Sequence, residues 1–126
     1  MASKNSQSET IKEAVTAAAR AISGNKELEI NFGGMGSSLP HPPKTLKELS
    51  AYRGKADSLA CVEKYRDKSV RITASNEKVN SLIKVMEDSR VEILGSINYP
   101  GIATNIKSKF DDCLLYTSDA ADDLLC

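Results

Sequence analysis

The chain has no tryptophan, only two Phe and four Tyr, and a single histidine. Aromatic platforms on which nucleobases could stack are therefore missing, and the lysines are dispersed rather than gathered into a stripe, so a nucleic-acid partner is not expected. Lone His41 sits between prolines in a loop, where a solvated side chain is expected. Zinc or cobalt would require several His, Cys or carboxylate ligands at set spacing, and no such cluster is present. Cysteine is scarce as well. Of the three, Cys113 and Cys126 fall in the C-terminal tail, and Cys61 stands beside Ala60 and Val62 on a helix, as a small core residue would. No disulfide framework follows, which suits a cytoplasmic protein. Residues 1–7 have no apolar core of a signal peptide, and no run reaches the ~18 apolar residues of a membrane span.

The tail, Cys113-Leu114-Leu115-Tyr116-Thr117-Ser118-Asp119-Ala120-Ala121-Asp122 and onward, resembles the translation of a transposase adapter used in shotgun DNA sequencing. On that reading residues 113–126 are a non-native tail and the gene continued beyond Asp112; the alternative is a genuine acidic tail. The whole chain balances 17 Lys+Arg against 17 Asp+Glu. Three acids (Asp119, Asp122, Asp123) lie in the tail, so residues 1–112 carry 17 − 14 = +3.

What remains is mostly helical in pattern. Residues 1–7 are small and polar and are expected to be disordered. Ser6-Gln7-Ser8-Glu9 has capping-box spacing. Ile11, Ala14, Val15, Ala18 and Ile22 recur at helical intervals up to Gly24, placed for a C-terminal cap. The spacing predicts a helix over 8–23. Residues 27–32 alternate, with Leu28, Ile30 and Phe32 on one side, as in a half-buried strand. Its best candidate partner is 70–73. Gly33 to Lys44 is a loop of Gly, Ser and Pro; it fails as a phosphate cradle because no Lys-Ser/Thr pair opens a helix after it. A second capping box at Thr45–Glu48 opens a helix to about residue 66, with Leu49, Tyr52, Ala56, Leu59 and Ala60 as its apolar stripe. Gly54 inside it costs ~1 kcal/mol against Ala, which signals the close approach of another backbone. A third helix is expected over 75–95 and a short one from Pro100 to about Phe110, with Ile102, Ile106 and Phe110 on one side. The predicted fold is mainly α: three to four helices with at most one small two-stranded β ribbon, in one domain over 8–112. About 100 residues suffice for one modest core.

The third helix carries a charge where its apolar stripe should run. With Val79 at zero and ~100° per residue, Leu82, Ile83, Met86, Ile93 and Leu94 fall within roughly 60° of zero, and Arg90 lands at about 20°. An Arg on a buried seam requires a carboxylate partner. Asp57, Glu63 and Glu87 are the candidates, and Arg53 and Asp57, four apart, can pair locally. Arg53, Asp57, Glu63, Glu87 and Arg90 thus form the expected structural polar seam. No His-backed nucleophile, paired carboxylates in an evident apolar pocket or cofactor fingerprint is present, so no catalytic, cofactor-binding or metal-binding residue is assigned.

Several motifs stand in a telling order: a Leu-Glu-x-x-Phe strand (Leu28 to Phe32), Leu39-Pro40-His41-Pro42-Pro43, Arg53-Gly54-Lys55-Ala56-Asp57, Glu87-x-x-Arg90-Val91-Glu92-x-x-Gly95, and Pro100-Gly101-Ile102-Ala103-Thr104-Asn105-Ile106. Together, over roughly residues 14–112, they resemble the N-terminal region of the CobT-type subunit of aerobic cobaltochelatase. The chain departs from the family's His-Asp pair and further His, having Arg66-Asp67 and Arg71 instead, so no role of those histidines carries over. The resemblance implies an accessory subunit working with an AAA+ ATPase subunit and a large porphyrinoid-binding subunit. Together these insert cobalt(II) into hydrogenobyrinic acid a,c-diamide at the expense of ATP, in aerobic cobalamin biosynthesis. ATP, Mg and cobalt are then used by the complex, with no cofactor in this fragment, and the fragment's own role is protein–protein assembly rather than chemistry. The competing expectation is a stand-alone helical adaptor or regulator unrelated to chelation.

Overall fold

The structure is a computed structural model that describes residues 2–67, 69 and 74–117. Among the described residues there are four α-helices: α1 (Ala2–Ser23), α2 (Leu49–Tyr65), α3 (Glu77–Asn98) and α4 (Pro100–Thr117). The mainly α expectation holds; α1 ends at Ser23 and α4 begins at Pro100 as expected, while the other helix ends are displaced. α1 starts well ahead of the capping box: Ser6 is inside the helix, and its carbonyl accepts from the Thr10 hydroxyl at 2.7 Å. Gly24 does close α1, with φ +73 and its N–H on Arg20 O at 3.0 Å; the left-handed turn is one that only glycine enters freely. The expected domain limit at Asp112 falls within α4.

The second capping box is not used. Thr45 makes no side-chain cap bond, and a 3-10 turn (Leu46–Glu48) precedes α2. Leu46 is exposed there. α3 begins at Glu77, two residues later than expected, and is capped by Asn76, whose Oδ1 accepts from Lys78 N at 2.8 Å. Pro100 opens α4, where its missing N–H costs no helical bond.

The 27–32 segment keeps its alternation: Leu28, Ile30 and Phe32 are half-buried and Glu29 and Asn31 exposed. It is not a strand. Among the described residues its ladder is one parallel bridge between Phe32 and Leu39, made by Leu39 N–H on Asn31 O (3.1 Å) and Gly33 N–H on Leu39 O (2.7 Å). Arg20 Nε donates to Leu28 O at 2.8 Å, so α1 holds one of its carbonyls. The expected partner, 70–73, lies outside the described residues.

Two apolar clusters form the core. In the first, Val15 of α1, Leu39 of the loop, and Tyr52 and Ala56 of α2 meet, flanked by Ile11, Ile30, Phe32 and Leu59. Leu39 is the loop's plug, fixed by Tyr52 Oη donating to Pro40 O at 2.8 Å. Burial pushes the Tyr52 phenol up to about 12. In the second, Cys61 of α2, Val91 of α3, and Ile102 and Ile106 of α4 pack with Ile22, Val62, Tyr65 and Tyr99. The face of α4 follows the expectation at Ile102 and Ile106, while Phe110 stays partly exposed.

Glycine sets how closely these helices approach. A Cβ on Gly54 would overlap the backbone carbonyl of Asn105, so the predicted close backbone is that of α4. A Cβ on Gly95 would overlap Cys61 Sγ. α3 therefore meets α2 with a small-residue face.

Candidate functional site: a polar seam inside the helical core

That face is where sequence reasoning went astray. The buried residues of α3 are Val91, Glu92 and Gly95, at about 120°, 220° and 160° on the wheel that puts Val79 at zero. Expectation placed the core around zero. Arg90 is consequently not buried: its side chain is 48 % exposed. It does have its acid, and of the three candidates it is Glu87, one turn back. Arg90 Nη2 donates to Glu87 Oε1 at 2.6 Å and Nε to Oε2 at 2.9 Å. Nη2 also donates to Tyr65 O at 3.1 Å, satisfying a carbonyl in the last turn of α2. The Arg90 hydrogen bonds hold the Glu87 carboxyl below its usual range.

The other expected seam residues separate. Asp57 is buried, and its hydrogen bond comes from Asn105 of α4, Nδ2 to Oδ2 at 2.8 Å. Arg53 acts on it only through space. Burial raises the Asp57 carboxyl, opposed by the Asn105 hydrogen bond and then by the Arg53 charge. Glu63 accepts from Asn25 Nδ2 at 3.1 Å, tying α2 to the turn after α1. The five predicted residues therefore do not form one cluster.

A seam exists nonetheless, on residues the pattern did not single out. Lys109 Nζ of α4 donates to Glu92 Oε1 of α3 at 2.7 Å, with side chains 8 % and 10 % exposed. Ser58 of α2 completes a triangle: its hydroxyl donates to Glu92 Oε1 at 3.0 Å and accepts from Lys109 Nζ at 3.0 Å. Lys109 Nζ also lies 4.7 Å from the centre of the Phe110 ring. The triangle and the Asp57–Asn105 bond flank Cys61, whose thiol is pushed up to about 11, first by burial and then by the Asp57 and Glu92 charges. Such a thiol is not a nucleophile at neutral pH. Among the described residues, no fully buried side-chain nitrogen or oxygen lacks a partner. The seam's groups bond one another across the gaps between α2, α3 and α4 and so hold the three helices together.

Over the seam lies an open groove of about 530 Å³, walled by Leu39 and Pro40 on one side and by α2, α3 and α4 on the other. Its rim carries Lys55, Arg66 and Lys84, and its acid Asp88 is held by both Arg66 (2.9 Å) and Lys84 (2.7 Å). Among the described residues, no group of three His, Cys, Asp or Glu side chains is disposed to hold a metal ion. No helix among them is long and apolar enough to cross a membrane.

The motifs that stood in order along the chain meet in space here. Gly54 and Asp57 come from the Arg-Gly-x-Ala-Asp motif; Glu92 and Gly95 from the Glu-x-x-Arg-Val-Glu-x-x-Gly motif; Asn105 and Ile106 from the segment after Pro100. A family model described as cobalamin biosynthesis protein CobT matches residues 5–118. The chain belongs to the CobT family. Its role accordingly lies in cobalamin biosynthesis. No solved structure matches this fold. In this CobT-family domain the quoted motif residues are inter-helix contacts: glycines that admit a neighbouring helix, and polar groups that bond across the gap.

Proposed function

We propose that this chain serves a cobaltochelatase as an assembly piece, supporting ATP-dependent cobalt insertion into hydrogenobyrinic acid a,c-diamide in the cytoplasm without carrying chemistry itself. Its partners on this reading are the AAA+ ATPase subunit and the large porphyrinoid-binding subunit. One observation carries the reading: the CobT match spans the domain, and the motif residues within it are spent on joining α2, α3 and α4. A domain whose polar core groups are mutually satisfied can supply surface and rigidity, whereas binding ATP or a metal requires groups left free. ATP, Mg and the cobalt substrate then belong to the other subunits.

The experiment mixes the purified full chain with the purified ATPase subunit and, separately, with the porphyrinoid-binding subunit. Co-elution with the ATPase subunit is the expected result, with neither ATP hydrolysis nor cobalt insertion by the chain alone. Hydrolysis or insertion by the isolated chain would overturn the non-catalytic role. Failure to bind either subunit would remove the assembly role.

A further inference from the structure

α3 turns its largest apolar side chains away from the rest of the molecule. Val79, Leu82, Met86, Ile93 and Ile97 are 43–72 % exposed, and they lie within about 60° of one another's mean direction, opposite the buried Val91–Gly95 face. Scattered exposed apolar residues need no explanation, but a contiguous stripe does. This one runs for about 27 Å along the helix. Arg90 sits in it, with Glu87 on its border.

The stripe has a symmetry that chooses its occupant. About the level of residue 88, Val79 and Ile97 are equally far out in opposite directions, Met86 and Arg90 likewise, and Leu82 and Ile93 differ by one residue. A second α3 laid antiparallel across a two-fold axis at that level thus sets Val79 against the partner's Ile97 and Leu82 against the partner's Ile93. The same operation preserves which side of the contact each residue occupies. Arg90 then comes level, within one residue's rise, with the partner's Glu87, and Glu87 with the partner's Arg90. Donors remain for that contact: Arg90 uses Nε and Nη2 on Glu87 and Tyr65, leaving the two N–H groups of Nη1. Each Glu87 oxygen likewise keeps acceptor capacity.

We propose that this face of α3 is a self-association surface, on which two copies of the chain pair antiparallel with Arg90 and Glu87 exchanged across the axis. The inference stands independently of the chelatase reading. A single helix pair belongs to the small class of interface, under about 1,200 Å² in all, so the dimer is weak and is read at high protein concentration.

The test is sedimentation equilibrium of the full chain over a wide concentration range. Wild type shifts toward dimer as concentration rises; a strict monomer at about 1 mM, a millimolar limit on affinity, overturns the proposal. Leu82→Asp and Ile93→Asp, both at exposed positions, should each weaken dimerisation at least tenfold with the thermal midpoint preserved. A dimer that survives both uses another surface and sinks the idea. The sharper arm mixes two charge variants. R90E alone places acids on both sides of the axis, and E87R alone places Arg on both sides, so each should be weaker than wild type. An equimolar mixture sets acid against Arg at every contact and should associate more tightly than either variant by itself. Both variants lose the internal Glu87–Arg90 pair, so recovery in the mixture can come only from contacts between chains. No recovery refutes the antiparallel exchange. If wild type is monomeric and the Asp variants lose the ATPase subunit instead, the face belongs to that partner.

Discussion

Two glutamates five positions apart on α3 each pair with a cation, and little else about them agrees. Glu87 bonds Arg90 on the same helix, at the surface, bidentate, with Arg90 exposed and Glu87 half-buried. Glu92 bonds Lys109 from another helix, in the core, with Ser58 as third member. The chemistry is the same; the surroundings decide its value. An exposed pair gains little, because water screens it and two long side chains must be ordered to make it. A buried pair is a different object. Its net contribution against an apolar alternative is small, but either half left alone is a desolvated charge. Loss of the first pair is expected to cost little, whereas neither half of the second can be removed singly without orphaning the other.

The largest expected effect comes from dividing the buried pair. Lys109→Met leaves the Glu92 carboxylate in the core with only Ser58, and should destabilise by ~3–5 kcal/mol, a fall of more than about 10 °C in the unfolding midpoint. Adding Glu92→Leu should return most of that loss, since the charge is then gone with its partner. If the double variant were no better than the single, the loss would come from packing rather than from an orphaned charge.

Next is the approach of α2 and α4. Gly54→Ala gains ~1 kcal/mol of helix propensity but drives a methyl into the Asn105 carbonyl. A net loss of ~1–3 kcal/mol in urea unfolding is expected, as for other overpacked sites. Neutrality would show that α4 can retreat.

Asp57 gives a smaller, pH-dependent effect. Its carboxyl is raised in the folded state, chiefly by burial. The native protein therefore holds a proton more tightly than the unfolded chain there. Stability from this group is full below the unfolded value and is lost as pH rises through the folded one. Asp57→Asn keeps an acceptor for Asn105 and removes the titration. Its midpoint relative to wild type should thus be higher at pH 7 than at pH 3.5; the reverse order would contradict the burial account.

Smallest of all, Arg90→Ala should move the thermal midpoint of the monomer by no more than about 2 °C. A drop comparable to that of Lys109→Met would erase the contrast between the two pairs.

The mistaken burial of Arg90 shows how far sequence pattern could reach. Helical periodicity located the helices and put Glu87 among three candidate partners for Arg90, because both are local: neighbours at i, i+3 are fixed by helix geometry alone. It then took the heaviest apolar side chains of α3 for the core face. That inference fails because α2 and α4 leave room only for a close, small-residue contact, at Gly95 against Cys61, and the Leu, Met and Ile stripe is turned outward. Gly54 was legible for the complementary reason, since a glycine inside a helix is costly unless something needs the space. Lys109 and Ser58 carried no mark, and Glu92 and Asn105 stood in motifs that did not say what they bond. Their partners are 17 to 51 residues away, and nothing in a helix's own period reports what another helix brings.

The sequence by itself determined the four helical segments, the half-buried alternation at 27–32, the cap at Gly24, the need of Arg90 for an acid and the resemblance to the CobT family. All of these rest on local spacing or on motif order. Tertiary structure alone decided which face of α3 is buried, that Asp57 is served by Asn105 rather than Arg53, and that Glu92, Lys109 and Ser58 close the seam. Those outcomes depend on the distance between helix axes, which is set by glycines and side-chain volumes on several helices at once rather than by any one segment.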